Sequence, residues 1–181
     1  MKRDNTIRLN SNYQRLLCYQ KSVVIYDLTY HFCTRFIDKH DRTFDQMIQA
    51  ARSGKQNIVE GYADMSTSKE MGIKLFNVAR GSLMELAEDY DDYLRVRNMR
   101  RWENDSKEML AMTRIGASYS DAEYFIKLAE SRSDEIIANM TLVLIRQAQA
   151  LIRKYIDKVN ENFATEGGFR EKMTQIRLKN R

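Results

Sequence analysis

The sequence contains no proline and only seven glycines in 181 residues. Sandwiches and barrels spend more of both on their turns, so an all-β fold is disfavoured, and helices can run long without a ring to break them. Cysteine is equally scarce. Cys18 and Cys33 make neither a CxxC motif nor a disulfide framework and read as a reduced, cytoplasmic pair of thiols. The longest aliphatic run is four residues, 142–145, and mean hydropathy is −0.59, so no membrane span is expected. No apolar stretch opens the chain, which predicts no secretory leader.

What is present is 43% apolar and 30% charged residues, a balance suited to one folded domain. The formal net charge of +5 is unevenly spread. Residues 1–21 and 170–181 each hold five basic groups and one acid, whereas the 148 residues between hold 20 basic and 23 acidic groups. The basic character therefore belongs to the two ends, and basic ends attract polyanions such as RNA or DNA. The candidate phosphate contacts are Lys2, Arg3, Arg8, Arg170, Lys172, Arg177, Lys179 and Arg181, with Arg52 and Lys55 inside the chain.

Helix signals dominate between the ends. Thr43-x-x-Gln46, Thr67-x-x-Glu70 and Ser120-x-x-Glu123 fit capping boxes, and Asp105 with Glu108 is a weaker fourth. Gly61, Gly116 and the pair Gly167-Gly168 are placed as left-handed stops. These marks predict an all-α chain with long helices at 12–39, 43–62, 67–99 and 133–164, and short ones at 105–115 and 121–130. The expected organisation is a helical domain over 1–166 and a basic tail over 167–181. Within the tail, Phe169, Met173 and Ile176 or Leu178 are spaced for one or two amphipathic turns, which would dock on a neighbour or a polyanion, or fray.

The third long helix has the clearest seam: Phe76, Ala79, Leu83, Leu86, Tyr90 and Tyr93 step by 3, 4, 3, 4, 3, with Leu75, Val78 and Ser82 widening it. Gly81 beside the seam suggests close approach of another helix, with a tolerated weak spot as the alternative. The first helix is ambiguous, because 24–32 alternates as a strand would, yet Val24, Leu28, Phe32 and Phe36 also keep helical spacing; with no partner strand in sight, helix is the reading. In the last long helix, Leu142, Val143, Leu144 and Ile145 occupy most of the circumference. They predict burial on two sides, and a second subunit is favoured over the short helices as the cover, making Leu142, Val143 and Ile145 interface candidates.

Little of this points to catalysis. A di-metal bundle site needs Glu-x-x-His pairs, and the residues three before His31 and His40 are Leu28 and Ile37. Glu85, Glu88, Asp89, Asp91 and Asp92 read as a solvated face pairing with Arg95, Arg97, Arg100 and Arg101. No Gly-rich loop precedes a Lys-Ser or Lys-Thr. The chain is therefore read as non-enzymatic and cofactor-free. The second long helix is the unusual one: Gln49, Ser53, Gln56, Asn57 and Glu60 form a hydrogen-bonding strip beside Ala50, Ala51 and Gly54, which fits a polar layer in the core or at a subunit seam before a lined groove or pore.

The stretch 49–61, Gln-Ala-Ala-Arg-Ser-Gly-Lys-Gln-Asn-Ile-Val-Glu-Gly, followed by 78–86, Val-Ala-Arg-Gly-Ser-Leu-Met-Glu-Leu, resembles the four helix bundle protein family. That family includes proteins encoded by intervening sequences in bacterial 23S ribosomal RNA genes and the accessory variability determinant of diversity-generating retroelements. Glu166-Gly-Gly-Phe-Arg-Glu171 looks like the branch with a C-terminal suffix. The connection at about 100–132 is longer than in compact members. The resemblance implies an antiparallel up-and-down four-helix bundle assembled as a homopentamer, without catalytic activity, and, in the retroelement relative, partnership with a reverse transcriptase and nucleic acid.

Overall fold

The computed structural model describes residues 12–166. After a 3-10 turn at Asn12–Arg15 come α1 (Leu17–Phe36), α2 (Arg42–Asp64), α3 (Lys69–Val96), α4 (Lys107–Ser118), α5 (Ala122–Ala129) and α6 (Asp134–Glu166). The described residues form no strand, so the alternating segment of α1 resolves as helix, although α1 is shorter at both ends than its pattern suggested. The long helices pack on one another in a closed cycle: α1 on α2 and α6, and α3 on α2 and α6. The two short helices lie outside it, α4 against α6 and α5 against α1.

The predicted seam of α3 is the inner face. Phe76, Ala79, Leu83, Leu86 and Tyr90 are fully buried and Tyr93 nearly so. Val24, Leu28 and Phe32 of α1 are buried in the same core, where the Phe32 ring lies 5.0 Å from Tyr90 and 4.8 Å from Tyr93, edge to face. Tyr90 also donates its hydroxyl hydrogen bond to Thr29 at 3.1 Å, which satisfies a polar group at full burial. Val78 does not widen the seam; it stands on the outer side, 44% exposed.

Helix ends differ in detail from the sequence marks. The caps are Asp41, Ser68, Ser106 and Asp121, each one or two residues from the expected Thr43, Thr67, Asp105 and Ser120. Thr67 is taken up by the preceding turn, its N–H bonded to the Asp64 carbonyl, which leaves extended Ser68 to accept from Met71 N–H. Gly61 and Gly116 lie inside α2 and α4 rather than after them. The left-handed stop is instead Asn98 after α3, at φ 53°, with Met99 N–H on the Leu94 carbonyl and Asn98 N–H on that of Arg95. The pair Gly167-Gly168 lies outside the described residues.

Gly61 serves packing. It faces Gly72 across the α2–α3 turn, and a Cβ at Gly72 would sit 2.8 Å from the Gly61 carbonyl oxygen and from the Met65 side chain. Gly81 shows the opposite: a Cβ there would meet nothing within 4 Å, so the close approach expected at this position is absent. Gly81→Ala should therefore stabilise by about 1 kcal/mol through helix propensity, raising Tm by about 2–4 °C. Gly72→Ala should lower Tm, because overpacking against backbone costs about 1–3 kcal/mol and exceeds that gain. Thermal melts of the two variants check the contrast.

The apolar run of α6 is covered within the chain. Leu142, Val143, Leu144 and Ile145 are all buried at 5% exposure or less. Their second side lies under the segment after α3 and under α4, where Trp102, Met109 and Met112 are buried. Three residues of the segment are fastened along α6: Arg100 N–H to Glu135, Trp102 N–H to Asn139, and Asn104 to the Arg146 guanidinium. The expectation that Leu142, Val143 and Ile145 face a second subunit is corrected accordingly. A stretch of α6 within 134–161 is long and apolar enough to cross a membrane by length and composition, contrary to the sequence reading, but 61% of its most apolar window is buried inside this fold.

Candidate functional site

The polar strip of α2 lies on the outer side of the α2–α3 pair rather than in the core. Ser53 and Ser82 share a hydrogen bond of 2.9 Å across the two helices, and Asn57 donates to the Ser53 carbonyl and hydroxyl at 2.9 and 3.1 Å. Small side chains there let the helices close, because Gly54 and Leu83 touch just beneath. From this floor a groove of about 620 Å³ opens toward the N-terminal end of α2, lined by Asp45, Gln46, Gln49, Ala50, Ser53, Ser82, Glu85 and Asp89. The polar-core-layer reading is thereby set aside.

Helical geometry explains the composition. On α3, Met71, Val78, Ser82, Glu85 and Asp89 fall within about 40° of one line at 100° per residue. That stripe is exposed apolar at one end and acidic at the other, with Met71 at 46% and Val78 at 44% exposure. Of the acidic cluster, Asp91 and Asp92 do pair with arginines, Arg101 and Arg95 respectively. Arg100 instead holds Glu108, and Arg97 lies 3.8 Å over the Tyr93 ring. None of the ion pairs among the described residues reaches Asp45, Glu85 or Asp89. Burial, and then the neighbouring charges of Asp92 and Glu85, raise the Asp89 carboxyl above the ordinary range.

The basic candidates fall into three groups. Lys2, Arg3, Arg8, Arg170, Lys172, Arg177, Lys179 and Arg181 lie outside the described residues. Arg52 is exposed on the outer face of α2. Lys55 turns toward α1, its Nζ 4.2 Å from the Tyr26 ring centre, so it and Arg52 form no joint patch.

Two polar features escaped the sequence reading. Lys21 is 2% exposed, and its ammonium donates to the Gly116 and Tyr119 carbonyls at the C-terminal end of α4. A cation suits that end of a helix, yet burial lowers its pKa to about 8. The signal was Lys21 at helical spacing with Leu28 and Phe32, on an otherwise apolar face. Asn139, fully buried, was hidden because two of its three partners are 37 and 39 residues away. The thiols are buried, with burial raising Cys18 to about 11 and Cys33 to about 12, so neither is poised as a nucleophile. Among the described residues, no three His, Cys, Asp or Glu side chains converge as a cation site requires. Comparison with known proteins found no matching family model, curated protein or solved structure.

Proposed function

We propose that the protein is a non-enzymatic, cytoplasmic helical scaffold or accessory protein that self-associates and contacts RNA or DNA through its basic ends. In this reading α1, α2, α3 and α6 form an antiparallel up-and-down four-helix bundle of the kind found in the four helix bundle protein family, with the pentamer as its assembly. The observation that carries it is the outer α2–α3 stripe. Exposed Met71 and Val78 continue into a groove floored by paired serines, a surface made for contact rather than for solvation alone. With the run of α6 covered within the chain, the α2–α3 face, where exposed apolar side chains adjoin a groove, is the one proposed to meet another copy.

Light scattering should give a mass several times 21.4 kDa at micromolar concentration, and a mass near that of one chain at every concentration overturns the assembly. RNA affinity should fall steeply with salt, and removing residues 1–11 and 167–181 should flatten the slope by about 0.7 log units for each phosphate no longer neutralised. A slope indifferent to that removal would refute the terminal assignment. Partner binding insensitive to salt, with no RNA bound, would favour a purely protein-interacting module that uses the same α2–α3 face.

A further inference from the structure

We infer that the acidic α2–α3 groove receives the basic C-terminal segment, residues 167–181, of a second copy of this chain; this rests on the self-association proposed above. The groove offers Asp45, Glu85 and Asp89 around an opening of about 620 Å³, and no described cation pairs with them. Its continuation along α3 is the exposed apolar pair Met71 and Val78. The segment carries the complementary chemistry in its sequence: Arg170, Lys172, Arg177, Lys179 and Arg181 interleaved with Phe169, Met173, Ile176 and Leu178, and a single acid, Glu171. Apolar contact over the stripe and ion pairs at the acidic end would be made together.

Geometry selects the partner's segment over the chain's own. α6 runs from Asp134, bonded to Tyr93, to Tyr155, whose ring lies 4.7 Å from Phe76. From there α6 continues to Glu166, about 16 Å farther at 1.5 Å per residue, while Glu85 and Asp89 lie about 14–20 Å in the opposite direction along α3. The chain's own segment would have to double back by about 30 Å or more, which uses most of its roughly 50 Å of fully extended reach. The segment of a neighbouring copy meets no such constraint. Docking and phosphate contact draw on the same cations, so a bound polyanion releases the segment from the groove.

A charge swap in the full chain tests this, read as the concentration for half-dissociation by sedimentation at low salt. Glu85→Lys with Asp89→Asn should raise that concentration at least tenfold, and so should Arg177→Glu with Lys179→Glu. Combining the four substitutions should restore much of the association. Glu85 is exposed and Asp89 half-buried on one helix, and unchanged helicity and Tm of each variant show that the fold is kept. Association untouched by either pair, or weakest in the combined variant, overturns the groove assignment while self-association stands. Wild-type protein that is monomeric throughout refutes the self-association itself.

Discussion

Asn139→Ala should destabilise the protein by about 3–4 kcal/mol, among the largest effects of any single polar substitution. The side chain is fully buried and makes three hydrogen bonds: its oxygen accepts from Trp102 N–H at 2.8 Å, and its nitrogen donates to the Arg100 and Glu135 carbonyls, each at 2.9 Å. Alanine removes all three. The Trp102 N–H then has no partner in a buried position, at a cost of about 1–3 kcal/mol, and the Arg100 carbonyl adds a similar but smaller amount because it retains more access to water. Asn139→Asp should recover only part of the loss, since a carboxylate can accept from Trp102 but faces two carbonyls it cannot donate to. Chemical denaturation of both variants measures the difference. A loss below about 1 kcal/mol for alanine would mean that the 100–104 segment is held by Trp102 packing alone. The alanine variant should also bind apolar dyes more strongly, because Leu142, Val143 and Ile145 lie beneath that segment.

Alkaline solution should unfold the protein early, and the buried thiols are a main reason. Cys33 and Cys18 are pushed from about 9 to about 12 and about 11, chiefly by burial. Folded-state values above the unfolded ones mean that the thiols' contribution is intact below pH 9 and is lost as pH rises through 11 and 12. At about 1.4 kcal/mol for each pH unit between the two values, Cys33 accounts for about 4 kcal/mol and Cys18 for about 3 kcal/mol. Tyr93 and Tyr155, both held up to about 12 mainly by burial, steepen the decline above about pH 10. Lys21 acts in the opposite sense. Its pKa is lowered from 10.5 to about 8, so its charged form is penalised in the fold and stability rises as pH climbs through that interval. The balance is a stability maximum near about pH 9 followed by a steep fall. Cys33→Ala should reduce the slope of unfolding free energy against pH by about 1.4 kcal/mol per pH unit between about pH 9.5 and 11. An unchanged slope would remove Cys33 from the account. Both thiols should resist a disulfide-exchange reagent at about pH 8 in the native protein and react fully in denaturant.

Much of the architecture was legible because helical periodicity is a one-dimensional record of one face. The seam from Phe76 to Tyr93 appears in the sequence as it appears in the core, and the helices begin and end within a few residues of their patterns, apart from the later start of α1. Periodicity says which side of a helix is apolar but not what covers it. Leu142–Ile145 announced two buried sides, and only the hydrogen bonds of Asn139, Glu135 and Arg146 reveal that the cover is the segment at 100–104. The candidate site was half visible for the same reason. The serine and amide strip of α2 could be read from its spacing, whereas Glu85 and Asp89 looked like part of one solvated cluster. Steps of 100° carry Asp91 to another side, while Asp92 stays one turn from Asp89 and is distinguished only by its pairing with Arg95. Lys21 and Val78 each broke the pattern of their own helix, one polar residue inside and one apolar residue outside, and these exceptions mark the latch to α4 and the candidate contact surface.

The cycle of long-helix contacts also sets an order of events. α2 and α3 are joined by a four-residue turn and closed by the Gly61–Gly72 approach, so their pairing costs little loop entropy and should form first. α1 must find α6 across about a hundred residues. During synthesis, when the N-terminal end emerges first, Val24, Leu28 and Phe32 can pair with the α2–α3 hairpin long before α6 exists to complete their burial. The nascent chain therefore passes through a three-helix stage with an open apolar trough, and α6 is the element that closes it.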